Sequence, residues 1–170
     1  MALFASKELN SLDDLFVDQL QDLYDAEQRL TDALPKMADA ADAEELKTAF
    51  TSHLRETEGH ITRLEQIFRD LGLEPVREAC EAMKGLIKEG STMVDAKGDS
   101  HVKDAALIAA AQRIEHYEMA GYGTARSFAN RLGHTHAAQL LQQTLDEEKS
   151  ADTELTEIAE KSVNAMAGRA

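Results

Sequence analysis

A chain of 170 residues with two prolines, nine glycines and no tryptophan suits one helical core, and its scarce aromatics require that core to be aliphatic. A formal charge of −14 excludes the clustered Lys and Arg that a phosphate backbone or anionic lipid demands, so neither nucleic acid nor a membrane is an expected partner. Cys80 stands alone, which excludes an internal disulfide and any Cys-rich metal site; with a start, Met1 to Leu12, that lacks a basic segment followed by an apolar run, it predicts a reducing, cytoplasmic setting.

In chain order, Ser11-Leu-Asp-Asp14 offers a hydroxyl to a free amide and an acid to the positive end of a first helix, predicted over about 12 to 40. Its seam advances by fours and threes through Phe16, Leu20, Leu23, Leu30, Leu34 and Met37, and Glu27 interrupts it. Asp42-Ala-Glu-Glu45 repeats the opening device for a second helix, about 43 to 71, with Gly72 as a left-handed stop. That helix carries Leu46, Phe50, His53, Thr57, His60, Leu64, Ile67 and Leu71 on its seam, with Glu56 beside it. Leu73-Glu-Pro75 then turns the chain, and the weaker pattern Val76, Cys80, Met83, Ile87 predicts a short helix within about 76 to 95, with Cys80 as a small apolar filler.

Ser100 opens a further long helix, about 101 to 131, whose seam Ile108, Ala111, Glu115, Glu118, Tyr122, Ala125, Ala129 sets two acids one turn apart on the inner face. After Gly133, Thr135 opens the last, about 135 to 163, with Leu141, Leu145, Glu148, Asp152 and Leu155 on its seam. Short links make antiparallel hairpins of the first and last pairs, while the segment 72 to 100 is long enough to cross the bundle. The predicted fold is all-α: one domain, 1-170, an antiparallel four-helix bundle with one long crossover carrying a short fifth helix, the ferritin-like connectivity.

Six acids from four helices, Glu27, Glu56, Glu115, Glu118, Glu148 and Asp152, thus fall near the middle of the predicted core. A carboxylate buried alone costs many kcal/mol and is normally protonated, paired or given a cation. Only Arg63, at the margin of the second helix, is at hand to neutralise one of them, whereas two divalent cations supply four positive charges. Oxygen donors with one or a few imidazoles suit iron or manganese better than zinc, and spacing does not choose between the first two. His60 is four residues from Glu56 and can converge with it; His53 reads as an orienting or packing residue. The competing readings are a metal-free interaction or structural bundle, with these acids protonated or solvated, and a subunit of an iron-storage shell.

Leu23-Tyr-Asp-Ala-Glu27, His53-Leu-Arg-Glu-Thr57 with Arg63-Leu-Glu65, Glu115-His-Tyr-Glu118 and Glu147-Glu-Lys149 together resemble the ferritin-like superfamily and, within it, the YciE/YciF stress-protein family, from Leu12 to about Ala159. The resemblance implies two bound metal ions, iron first and manganese second, and ferroxidase-like chemistry in which Fe(II) meets oxygen or peroxide in a stress response. By analogy with rubrerythrin-like sites it makes Glu27, Glu56, Glu115, Glu118 and Glu148 ligands, with Glu56 and Glu148 as bridges. The superfamily pattern Glu-x-x-His is broken at Gly59 and Ala151, and His60 and Asp152, each four residues after its glutamate, stand in for the missing imidazoles. Tyr24, and Tyr117 or Tyr122, are the expected electron or hydrogen-bond donors. Apolar Leu54, Ile61 and Phe68, beyond the seams, predict either a wide core stripe or an oligomer contact, of which a homodimer is the favoured form.

Overall fold

The computed structural model describes residues 7–170; the first six residues of the expected 1-170 domain lie outside them. Helices α1 (Leu12–Ala40), α2 (Glu44–Asp70), α3 (Glu81–Val94), α4 (Ser100–Leu132) and α5 (Thr135–Ile158) follow one another, and a wider π turn (Ala159–Val163) leads from α5 into a last short helix, α6 (Asn164–Ala167). No strand occurs among the described residues, and none of their helices is long and apolar enough to cross a membrane.

The four long helices pack in the order α1, α2, α5, α4 around the bundle, with α3 laid over α1 and α4. Two apolar layers fill it. One holds Leu30, Leu34, Leu46, Phe50, Leu107, Ile108, Ile114 and Leu155; the other holds Phe16, Leu20, Leu64, Ile67, Tyr122, Ala129 and Leu141. Following each helix from one layer to the other shows α1 and α5 running one way and α2 and α4 the other, so every adjacent pair is antiparallel and the chain between α2 and α4 must traverse the bundle's length. Fully burying each of these Leu, Ile or Phe side chains contributes roughly 1.5–3 kcal/mol before chain entropy is subtracted.

The chain reverses where glycine permits it: Gly72 after α2 and Gly133 after α4 take φ of 70° and 82°. Gly121 serves a different end, since a Cβ there would stand 2.8 Å from Leu23 Cδ2; its absence lets α4 approach α1 one residue from the inward Tyr122.

Three local details differ from the sequence reading, and two of them trace to acids that reach across the fold. The turn into α2 is held by Asp104 of α4, which accepts from the Asp42 and Ala43 amides at 2.8 Å each, and Ala43 stands at the N-cap position, so Asp42 itself is not the cap. Asp99 caps α4 in place of Ser100, accepting from His101 and Val102 N–H. The crossover helix begins at Glu81, later than the apolar pattern suggested, because Asp25 of α1 fixes the preceding residue: its Oδ2 accepts the Cys80 amide at 2.8 Å, and Arg29 and Arg77 bind the same carboxylate. Cys80 is therefore more than filler, since its Sγ accepts from Met83 N–H as the cap of α3.

Asp25 is 2% exposed, and burial alone raises its pKa, yet Arg29, the Cys80 amide and Arg77 together hold it below the ordinary carboxylate range. Its contribution to stability is accordingly present at neutral pH and lost as acid brings the pH down through that depressed value. Asp25→Ala strands the Cys80 N–H and frees the crossover, and a loss of about 2–4 kcal/mol is expected in urea unfolding. Asp104→Ala, which strands the Asp42 and Ala43 amides of the turn into α2, is expected to lose about 1–2 kcal/mol in the same assay.

Candidate metal centre

Between the two apolar layers lies a polar one. Glu27 of α1, His53, Thr57 and His60 of α2, Glu115 and Glu118 of α4 and Glu148 of α5 are all buried, with Glu27, Thr57, His60, Glu118 and Glu148 at 0% exposure. The helical period produces this layer: His53, Thr57 and His60 follow each other by four and three on α2, Glu115 and Glu118 by three on α4, and each replaces one apolar turn of its seam.

These side chains form two groups within metal-ligand reach. His53, Glu115, Glu118 and Glu148 can bring one donor atom each to within 4.8 Å of the others, and so can Glu27, His60 and Glu148. Glu148 belongs to both. Its Oε2 is 3.8 Å from His53 Nε2, and its Oε1 is 3.1 Å from His60 Nδ1, which also lies 3.2 Å from Glu27 Oε1. Glu115 Oε1 is 3.4 Å from His53 Nε2. The contacts are close but lack hydrogen-bond geometry: His53 Nε2, His60 Nδ1, Glu27 Oε2, Glu115 Oε2 and both oxygens of Glu118 and of Glu148 are buried without a hydrogen-bond partner.

Each imidazole turns one nitrogen inward and has the other held from outside by a glutamate. His53 Nδ1 donates to Glu56 Oε2 at 3.3 Å, and His60 Nε2 donates to Glu147 Oε2 at 3.0 Å. Arg63 in turn binds Glu147 and donates to Thr144 Oγ1 at 2.9 Å. A carboxylate behind a histidine fixes its tautomer and raises the basicity of the nitrogen that faces the site.

The crowded charges shift protons. Burial pushes Glu115 up to about 8 and Glu118 well above the carboxylate range, where neighbouring Glu27 and Glu148 add to the effect; burial also raises Glu27, against the pull of His60. Burial would lower both histidines. Glu115, Glu56 and Glu148 nevertheless lift His53 to about 9, and Glu27 and Glu148 lift His60 to about 11.

Of the residues singled out in the sequence, the structure brings Glu27, His60, Glu115, Glu118 and Glu148 together and leaves Glu56, Asp152 and Tyr24 apart. Thr57 occupies the inward position of its turn, so Glu56, one residue earlier, is rotated by about 100° and its side chain is 43% exposed, behind His53. Asp152 lies one turn beyond Glu148 and meets Gln112 Nε2 (3.1 Å) and His116 Nε2 (3.4 Å), outside the layer. Tyr24 donates to Glu65 and packs edge-on against Phe68; the tyrosine at the site is Tyr122, whose hydroxyl donates to Glu27 Oε1. His53, read from sequence as an orienting or packing residue, stands in the cluster. Its place on the α2 seam was the signal.

The comparisons with known proteins agree with the fold. A family model described as "Domain of unknown function (DUF892)" matches residues 11–168. Protein YciF of Escherichia coli (strain K12) is 45% identical over 160 residues, 94% of this chain and 96% of that protein. The crystal structure of the E. coli stress protein YciF superimposes with a TM-score of 0.88 over 92% of this chain and 99% of that one. YcfI of Rhodopseudomonas palustris, provisionally described as a structural protein, is 44% identical with a TM-score of 0.86, covering 90% of this chain and 98% of its own. A protein from Xanthomonas campestris pv. campestris, 21% identical with a TM-score of 0.73 over 94% of this chain and 98% of its own, shares the fold.

Proposed function

The chain belongs to the DUF892 family, alongside the stress protein YciF, and from that footing we propose that it is a dinuclear metal-carboxylate protein, iron-loaded, which oxidises Fe(II) or consumes oxygen or peroxide in a stress response. One observation carries the reading. Glu118 and Glu148 are wholly buried, and all four of their carboxylate oxygens lack a hydrogen-bond partner. Buried polar atoms are satisfied in the great majority of cases, and unpaired ones point to a ligand.

A metal-free account can balance the charge, since two imidazolium ions and two protonated carboxyls offset four glutamates. It does not satisfy the atoms, because a protonated Glu118 would still bury a hydroxyl with nothing to accept from it. Two divalent cations use the free lone pairs and remove the repulsion together. Four carboxylates and two imidazoles are the donors of an iron or manganese pair; zinc would draw more nitrogen and sulfur.

When bound, an iron pair supplies the electrons that reduce oxygen or peroxide. The chain supplies the rest. Glu148, common to both donor groups, would bridge them; His53 with Glu115 and Glu118 would hold one ion, and His60 with Glu27 the other. Glu56 and Glu147 keep the two imidazoles aimed inward, and Tyr122 steadies Glu27 through its hydroxyl. The apolar layers on both sides exclude bulk water, which strengthens each of these interactions.

Protein loaded with Fe(II) without oxygen and then exposed to it is expected to develop near-ultraviolet absorbance from Fe(III) held by carboxylates, with about two ions per chain. Fewer than one ion per chain after loading overturns the proposal.

A further inference from the structure

The two sides of the cluster are not equally open. On the His60 side, Arg63 binds Glu147 and Thr144, closing the surface with an ion pair rather than with free carboxylates. On the His53 side, a narrow recess of about 10 Å³ lies between α2 and α5. Ala49 and Ala151 flank it, and their single methyl groups leave the gap that a longer side chain would fill. Its floor is His53 and Glu115, whose Nε2 and Oε2 are buried, unpartnered and belong to the cluster. Its rim is Glu56 and Glu154, one half-exposed and the other exposed.

Glu154 also borders a second recess along the same pair of helices, with Glu45 and Glu157, so acids line the approach from outside. Lys161, the only cation bordering it among the described residues, is paired with Glu157 at 2.5 Å. A groove lined by one sign of charge concentrates ions of the other and speeds their arrival.

We propose that the gap between α2 and α5 is the passage by which divalent cations reach the cluster: Glu154 and Glu56 capture them, Ala49 and Ala151 leave the throat open, and the His53–Glu115 side fills first. This rests on the metal-binding reading of the cluster. The throat has room for roughly one water-sized species, so a cation passes by exchanging its water for the carboxylates of the rim and then of the floor.

The test is stopped-flow uptake of Co(II), a divalent probe followed by its visible absorbance without need of oxygen, together with its stoichiometry at saturation. Ala151→Leu is expected to slow uptake by about tenfold or more while leaving the final stoichiometry unchanged. Glu154→Lys, an exposed change outside the proposed ligands, is expected to slow it about fivefold at low salt, with the difference shrinking as salt screens the groove. Wild-type rates in a folded A151L protein overturn the passage. If A151L does not fold, E154K decides, and a wild-type rate there at low salt has the same meaning. Failure of the underlying reading looks different, because the unaltered protein would then bind no Co(II) at saturation.

Discussion

Glu118→Leu is expected to make the metal-free protein more stable while abolishing its capacity for two metal ions. Glu118 is fully buried, neither of its oxygens has a partner, and Glu27, Glu148 and Glu115 all oppose its ionisation. In the apo protein it is a polar group without compensation. A leucine of similar volume removes that defect and bridges the two apolar layers. Replacing unfavourably buried charged groups with packed apolar ones commonly stabilises by about 1–4 kcal/mol. In a chain of this size, each kcal/mol corresponds to a melting shift of about 2–4 °C. The same change removes a donor from the His53, Glu115, Glu118, Glu148 group, so metal content should fall to one ion per chain or fewer. The opposite signs distinguish a ligand from a structural acid: Asp25, whose carboxylate is fully engaged, should destabilise on removal, whereas Glu118 should stabilise. A less stable apo E118L protein, with unchanged metal content, would mean that Glu118 is satisfied in a way the metal account denies.

Metal binding should also reverse the pH dependence of stability. Glu27, Glu115 and Glu118 have raised pKa values in the fold, Glu115 to about 8, while in the unfolded chain they ionise near 4.3. His53 and His60, raised to about 9 and about 11, also hold protons that the unfolded chain releases near 6.5. Across pH 5 to 8 the folded apo protein therefore binds more protons at this site than the unfolded chain does. The slope of unfolding free energy with pH is then negative, about 1.4 kcal/mol per unit for each extra proton, and apo stability should fall as pH rises. The histidine contribution, complete below their unfolded value, is lost as pH climbs through 9 and then 11. Metal must displace those protons, so its affinity rises over the same range. The stabilisation it confers, about 2.7 kcal/mol at a hundredfold excess over Kd, should grow between pH 6 and pH 8. Thermal melts with and without Fe(II), under argon, at both pH values measure this. Curves that coincide at both pH values favour the metal-free structural bundle.

The fold was legible because each long helix keeps its apolar seam for more than six turns, and the links from α1 to α2 and from α4 to α5 are short enough to force hairpins. The centre was legible for a related reason: Glu27, Glu115, Glu118 and Glu148 interrupt seams that are otherwise apolar, and the four helices all face one another at that level. Partner choice was less visible. The resemblance made Glu56 a ligand and periodicity put Asp152 on the seam of the last helix, but rotation along α2 gives the inward positions to His53, Thr57 and His60, and Asp152 turns to Gln112 and His116. Asp25 and Asp104 were missed because their partners lie 55 and about 60 residues away, and nothing in the local pattern of α1 or α4 separates them from surface acids. Tyr122 over Tyr24 was decided by which face each presents, since both are one or two turns from the acids in sequence.

The most direct examination is a crystal of Fe(II)-loaded protein measured at the iron absorption edge. The account predicts two anomalous peaks in the polar layer on either side of Glu148, one beside His53, Glu115 and Glu118 and the other beside Glu27 and His60. A fully loaded crystal with no peak in that layer, or with iron only at surface carboxylates, would contradict it.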